Sequence, residues 1–207
     1  MSENRKFSVL MSVYIKENPV FLEEAVKSIL HQTLKPSEVV IVEDGPLTPE
    51  LYQVLEKLAA QSSIPIKRCP LEQNRGLGLA LQYGVLQCQY DIIARMDTDD
   101  IAVEDRFEQQ FDLMEKENLD LLGGHIAEFI DQPDEIVSYR RVPTKHEEII
   151  AYQRMRSAFN HMTVMFKKEM VLKAGNYEDG LYMEDDLLWL NMISAGARTG
   201  NVDQFLC

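Results

Sequence analysis

A chain of 207 residues, 45% hydrophobic and 27% charged, has the balance of an ordinary soluble protein and is ample to bury one core. Its 34 acidic residues against 21 basic ones give a net charge of −13, the wrong sign for a nucleic-acid binder and unfavourable for contact with anionic lipid. Nothing approaches the run of about 18 apolar residues that a membrane-spanning helix needs.

The opening MSENRKFSVLMSVY has no separate apolar core or small-residue cleavage site, so no signal peptide is expected; its apolar stretch, Phe7 to Tyr14, reads as a buried strand. Pro19 then opens a helical pattern with Leu22, Val26, Ile29 and Leu30 on one face. The β-branched run Glu38 to Val42 reads as a second strand, ending in the turn signal Glu43-Asp44-Gly45-Pro46. A helix is predicted over Leu51 to Ala60, a strand over Ile64 to Cys69, a helix over Gly78 to Cys88 and a strand over Asp91 to Met96. This alternation predicts an α/β fold with an open sheet, mostly parallel in its N-terminal half and flanked by helices.

The second half is less regular. A helix is expected from Val103 to Glu117, followed by an apolar run from Leu119 to Ile130 that Gly123-Gly124 should bend. Thr144 to Met155 reads as a helix capped by Thr144 with Glu147 three residues on. A short strand at Thr163 to Phe166 and a helix from Glu184 to Ala195, ended by Gly196, follow. Gly200 to Cys207 looks like a turn entering a strand with no cap or polar tail after it, so the sequence is expected to be part of a longer chain. Without repeats, low-complexity tracts or linkers, residues 1–207 read as one domain. Three cysteines without a CxxC spacing, Cys69, Cys88 and Cys207, argue against a disulfide framework or zinc cluster and fit a cytoplasmic setting.

In open α/β sheets ligands bind beyond the carboxyl ends of the strands. Three predicted strands end in Tyr14, in Glu43-Asp44 and in Asp97-Thr98-Asp99-Asp100, so these groups should open onto one sheet edge. Three carboxylates within four residues repel one another unless a cation or strong donors compensate, and oxygen ligands of this kind suit Mg²⁺ or Mn²⁺. Read alone, the cluster is either a metal site or a solvated turn with Asp100 capping the next helix. Asp44 reads either as an acceptor for a nucleobase N–H or sugar hydroxyl, or as an Asx-turn residue. Tyr14 would stack on a base or half-fill the core. Asn74-Arg75-Gly76-Leu77-Gly78 suits anion contact at a helix start without being a P-loop, and Arg95 is expected to pair with the acidic cluster. Glu184-Asp185-Asp186 either complements a helix dipole or offers a general base. His161 would contact phosphate or metal, or be a satisfied structural residue.

In chain order these segments resemble the inverting glycosyltransferase family 2, which has the GT-A fold, a Rossmann-like open mixed sheet. SVLMSVYIKENPVFLEEAVKSILHQT, EVVIVEDGP, EQNRGLGLALQYGV and IIARMDTDDIAVEDRFEQQ are similar to its donor side; FNHMTVMFKKEMVLKAGNY and MEDDLLWLNMISAGA resemble its acceptor side. The resemblance implies a donor half at 1–100 and an acceptor half carrying the base at 101–207. It places Tyr14, Glu17 and Asp44 on the donor, with Tyr14 and Asp44 at its base, Arg75 near base or diphosphate, and Asp97 at the ribose. It gives Asp99 to a divalent metal, Mn²⁺ or Mg²⁺, and Asp185 the role of catalytic base, with Asp100, Glu184 and His161 as further candidates. Many family members carry an aromatic residue where this chain has Asp186. The implied reaction moves a sugar, UDP-linked in the commonest case, from a nucleotide-sugar donor to a saccharide or lipid-linked saccharide in polysaccharide or glycoconjugate synthesis, with the enzyme cytoplasmic and peripheral to the membrane through its acceptor. Two rivals are a sugar-phosphate nucleotidyltransferase, which should carry a Gly-rich basic loop after the first strand, and a catalytically silent nucleotide-sugar-binding module. A receiver domain is excluded because the acidic pair follows the wrong strand.

Overall fold

The computed structural model describes residues 5–130, 132–179 and 183–207. Four parallel strands form its first half: β1 (Phe7–Val13), β2 (Glu38–Glu43), β3 (Ile66–Pro70) and β4 (Ile92–Arg95), joined by the helices α1 (Pro19–Leu30), α2 (Pro49–Gln61) and α3 (Leu77–Gln87). After α4 (Arg106–Glu117) come β5 (Leu121–Phe129), β6 (Ile136–Arg140), α5 (His146–Gln153), a 3₁₀ turn at His161–Thr163, β7 (Met165–Lys167), α6 (Lys168–Lys173), α7 (Glu184–Ser194) and β8 (Thr199–Phe205). The sheet order is β3-β2-β1-β4-β7-β5-β6, with β8 pairing β5. Strand β7 runs antiparallel between β4 and β5, which makes the sheet mixed.

Period-two side-chain alternation sorts the core onto two faces. Phe7, Val9, Met11 and Val13 of β1, with Val39 and Ile41 of β2, pack against α1, α2 and α4. Leu10, Val40 and Val42 point the other way, onto α3 and α7. Each fully buried Val or Leu contributes about 1.5–3 kcal/mol, so the central strands tolerate neither polar substitution nor a slip in register.

Several predicted boundaries shift for local reasons. Helix α4 begins at Arg106 behind Asp105, not near Val103, so Asp100 caps no helix. Helix α5 starts at His146 behind Lys145, and Thr144 supplies no side-chain cap. Gly123-Gly124 does not break its strand. A Cβ at Gly124 would stand 2.4 Å from Leu206 Cδ1, and one at Gly123 2.8 Å from Asn201 Oδ1. The glycines let β8 approach, and the β5–β8 register shifts just after them, between Gly124 and His125. Gly124→Ala should therefore overpack this contact and cost about 1–3 kcal/mol in urea unfolding; an unchanged midpoint would show that Leu206 simply moves aside.

Candidate active site

The chain crosses from β3 to β4 on the far side of β1, so the order reverses between β1 and β4 and opens a crevice beyond their carboxyl ends. A cleft of about 430 Å³ lies there, lined by Ser12, Tyr14, Glu17, Asp44, Asn74, Gly76, Leu77, Asp97, Thr98 and Asp99. The three strand ends expected to converge do so.

Each wall is fixed by its own backbone chemistry. After β1, Glu17 N–H donates to the Tyr14 carbonyl, and the Asn18 side chain caps α1 by accepting from Val20 N–H. This compact turn leaves Tyr14 exposed over the cleft and Glu17 at its side. After β2, the Asp44 carboxylate accepts from the backbone N–H groups of Arg75 (2.7 Å) and Gly76 (3.0 Å). It therefore clamps two loops together rather than closing a local Asx turn. Gly45, at φ +83, lies so close to the second loop that a Cβ would reach Asn74 N at 2.5 Å. The Arg75 side chain is exposed and does not line the cleft; what it brings to the site is its amide.

After β4, Asp97 is gripped through both carboxylate oxygens by the guanidinium of Arg95, whose side chain is 1% exposed. The pairing expected of Arg95 is thus present, and it fixes the first carboxylate of the cluster. Asp97, Asp99 and Asp100 can bring one oxygen each within 4.8 Å of one another. Burial, then the charge of Asp97, pushes Asp99 above the usual carboxylate range. Burial, then Asp97 and Asp99, pushes Asp100 up to about 7. Glu17 is raised by burial and then by Asp99, against a hydrogen bond from Thr98.

The buried Oδ2 of Asp100 has no hydrogen-bond partner. Among the described residues the cleft walls carry four carboxylates (Glu17, Asp44, Asp97, Asp99) and no Lys, Arg or His. Arg95 compensates Asp97, but the close oxygens of Asp99 and Asp100, with the partnerless Oδ2 of Asp100, form a set of hard donors that fits a divalent cation such as Mn²⁺ or Mg²⁺.

A second acidic group opens α7. Glu184, Asp185 and Asp186 all lie in its first turn, yet they face different neighbours. Asp186 accepts from Gln153 Nε2 of α5 at 2.9 Å, and Gln153 Oε1 in turn accepts from Ala158 N–H. Glu184 packs at the start of α3, where a Cβ on Gly78 would lie 3.3 Å from Glu184 Cβ. Asp185 instead faces His161, with Oδ2 3.9 Å from Nδ1. Burial and then Asp186 push Asp185 above the ordinary aspartate range, the direction a general base near neutral pH requires. Ser12 also lines the cleft, and Thr98, Gln153 and Tyr177 contact Glu17, Asp186 and His161; no spacing in the sequence marks them, because these neighbours lie far away in the chain.

A mixed α/β sheet with an acidic strand end at its reversal point and a separate carboxylate at the start of α7 is the arrangement that the resemblance to GT-A glycosyltransferases led one to expect. The sequence model of the family described as "Glycosyl transferase family 2" matches residues 8–178, and the chain belongs to that family. It is 46% identical over 202 residues to an uncharacterized glycosyltransferase of Haemophilus influenzae, covering 97% of this chain and 74% of that protein. It is 40% identical, over 97% of this chain and 72% of the other, to the Escherichia coli UDP-Gal:alpha-D-GlcNAc-diphosphoundecaprenol beta-1,3-galactosyltransferase. Staphylococcus aureus TarS 1-349, solved with UDP-GlcNAc, superposes with a TM-score of 0.75 at 19% identity, over 97% of this chain and 57% of that one, which shows a shared fold. Among the described residues no helix is long and apolar enough to cross a membrane.

Proposed function

We propose that this chain transfers a hexose from a UDP-linked donor to a hydroxyl of a saccharide acceptor, with inversion and with help from a divalent metal. The observation that carries this reading is the cleft at the β1/β4 reversal: four carboxylates and, among the described residues, no basic side chain in its lining, a net negative charge that disfavours a diphosphate without a cation. Tyr14 would cover the base face. Asp44 and the amides it holds would meet the base edge, and Asp97, fixed by Arg95, would take a ribose hydroxyl. Asp99 would hold the metal, with Asp100 behind it. A bound Mn²⁺ or Mg²⁺ would offset charge on the departing diphosphate, a contribution of several kcal/mol.

The chain's own step is proton removal. Asp185 takes the proton of the acceptor hydroxyl as the oxygen attacks the anomeric carbon, the bond to the diphosphate oxygen breaks, and configuration inverts. Residues 1–100 would thus bind the donor and 101–207 supply the acceptor side and base. The Escherichia coli relative acts on a lipid-linked diphosphate saccharide by its name; an acceptor of that class, met at the membrane surface from the cytoplasm, is our reading for this chain too. A nucleotidyltransferase is disfavoured because the turn at Tyr14–Glu17 stands where a Gly-rich basic loop would be needed.

A panel of UDP- and GDP-sugars, read by thermal shift with and without Mn²⁺, tests the donor. Transfer to a lipid-linked acceptor followed by NMR of the new anomeric centre tests the chemistry. One UDP-sugar should stabilise the protein only with metal, and the product should be inverted. Retained configuration, or no metal-dependent shift with any donor, would reject the proposal.

A further inference from the structure

Behind Asp185 lies a pair of side chains, the buried Tyr177 and the partly buried His161, whose side chain is 11% exposed. Tyr177 is fully buried, and its hydroxyl lies 3.0 Å from His161 Nε2. The His161 ring is tilted against Tyr177 at 5.7 Å and set edge-on to Trp189 at 5.9 Å, so it has little freedom to turn. Burial, then the charge of Arg95, holds His161 well below the usual histidine range, and burial pushes the Tyr177 hydroxyl far up. Both groups are therefore neutral in the working range.

Neutrality decides the proton positions. A neutral imidazole donates from one nitrogen and accepts at the other. His161 is the side-chain partner found for the Tyr177 hydroxyl among the described residues. If that hydroxyl accepted from Nε2–H, its own buried proton would lack an acceptor, at a cost of about 1–3 kcal/mol. The opposite arrangement, Tyr177 O–H donating to Nε2, satisfies both groups and leaves the ring proton on Nδ1. Nδ1 is the atom that faces Asp185 Oδ2 across 3.9 Å. That gap exceeds a hydrogen bond in the free protein; catalytic contacts commonly tighten when substrate enters. A small turn of the Asp185 side chain, which is 22% exposed, would close it.

We propose that His161, locked by Tyr177 as the Nδ1–H tautomer, is a positioning residue that holds the Asp185 carboxylate toward the acceptor hydroxyl. The proposal rests on Asp185 being the base. His161, Glu184 and Asp185 can also bring ligand atoms within 4.8 Å, as a metal site would require. A protonated Nδ1 excludes ligation through that nitrogen, and Nε2 is occupied by Tyr177. The charged groups around Asp185 are Glu184 and Asp186 on α7, together with Arg95 and Asp97, whose charges are felt at Tyr177. None of them moves with the His161 substitutions below.

Nitrogen-15 NMR of labelled histidine in the intact protein should find the His161 ring proton on Nδ1 at neutral pH. His161→Leu should lower kcat roughly ten- to hundredfold, the orienting share of general-base catalysis. Donor KM and Mn²⁺ dependence should not change, and the acid limb of kcat, which reports the enzyme with substrate bound, should move to higher pH because the carboxylate loses the donor it gains there. His161→Asn, which returns an amide N–H near the Nδ1 position, should recover much of kcat. Tyr177→Phe should mix the tautomers. A ring proton on Nε2 overturns the proposal, as does His161→Leu with an unchanged rate and limb, or with Mn²⁺ affinity lost in proportion to rate. Transfer surviving in Asp185→Asn would instead reject the base itself, so the two failures are distinguishable.

Discussion

Asp185→Asn is expected to abolish transfer, lowering kcat by about 10²–10⁴-fold or more, while donor binding stays nearly intact. Asparagine keeps the size of the side chain at the start of α7 but cannot take a proton. The cleft proposed for the donor is built from the ends of β1, β2 and β4 and the start of α3, and no α7 residue lines it. Loss of rate with an unchanged donor Kd therefore separates a base from a binding residue; equal loss of both would reject the assignment.

The pH profile gives an independent check. Because burial and Asp186 raise Asp185, the acid limb of kcat/KM should lie above the ordinary aspartate range. Asp186→Asn removes the second cause and should move that limb to lower pH. The amide oxygen of the substituted side chain can still accept from Gln153, so the tie to α5 survives. A limb that stays put would mean that another group is titrating.

What the sequence made legible follows from where periodicity is strong. Val39 to Val42 and Leu22, Val26 and Ile29 face a core, and apolar spacing locates β2 and α1 to within a residue or two. Strand β6 escaped because all five of its residues are exposed and it pairs β5 alone, leaving no alternation to detect. Helix α6 is six residues long and buries one side chain, Val171. In the site, Asp44 and Asp97 were legible as strand ends, but not what holds them: the amides of Arg75 and Gly76 lie 31 and 32 residues from Asp44. Separation in sequence likewise hid Tyr177, 16 residues from His161, and Gln153, 33 residues from Asp186. Their roles depend on which way a side chain turns after folding. The three carboxylates of Glu184-Asp185-Asp186 look equivalent in sequence and become distinct once α3, α5 and the 3₁₀ turn claim one each.

Asp99→Ala should move the metal-free and the loaded protein in opposite directions. In the metal-free fold, Asp99 and Asp100 both lie above their ordinary range, so folding is more favourable with these groups protonated. For an acid with a raised folded value, that contribution is complete below its unfolded value, about 4, and is lost as pH rises through the folded value, about 7 for Asp100. The metal-free wild type should thus lose melting temperature between about pH 4 and pH 7. Asp99→Ala removes a charge that raises both Glu17 and Asp100. It should therefore melt higher than wild type at pH 7.5 in EDTA, with a smaller difference at pH 5, where protonation already relieves the repulsion. With Mn²⁺ and a UDP-sugar the order should reverse. Ligand stabilisation scales as RT ln(1 + [L]/Kd), about 2.7 kcal/mol at a hundredfold excess over Kd, and the variant should forfeit it. A residue serving only as a surface turn would show neither the pH-dependent gain nor the metal-dependent loss. A variant that kept its full Mn²⁺-dependent shift would move the metal away from Asp99, whereas a metal-free variant less stable than wild type would mean that the carboxylate is already compensated within the fold.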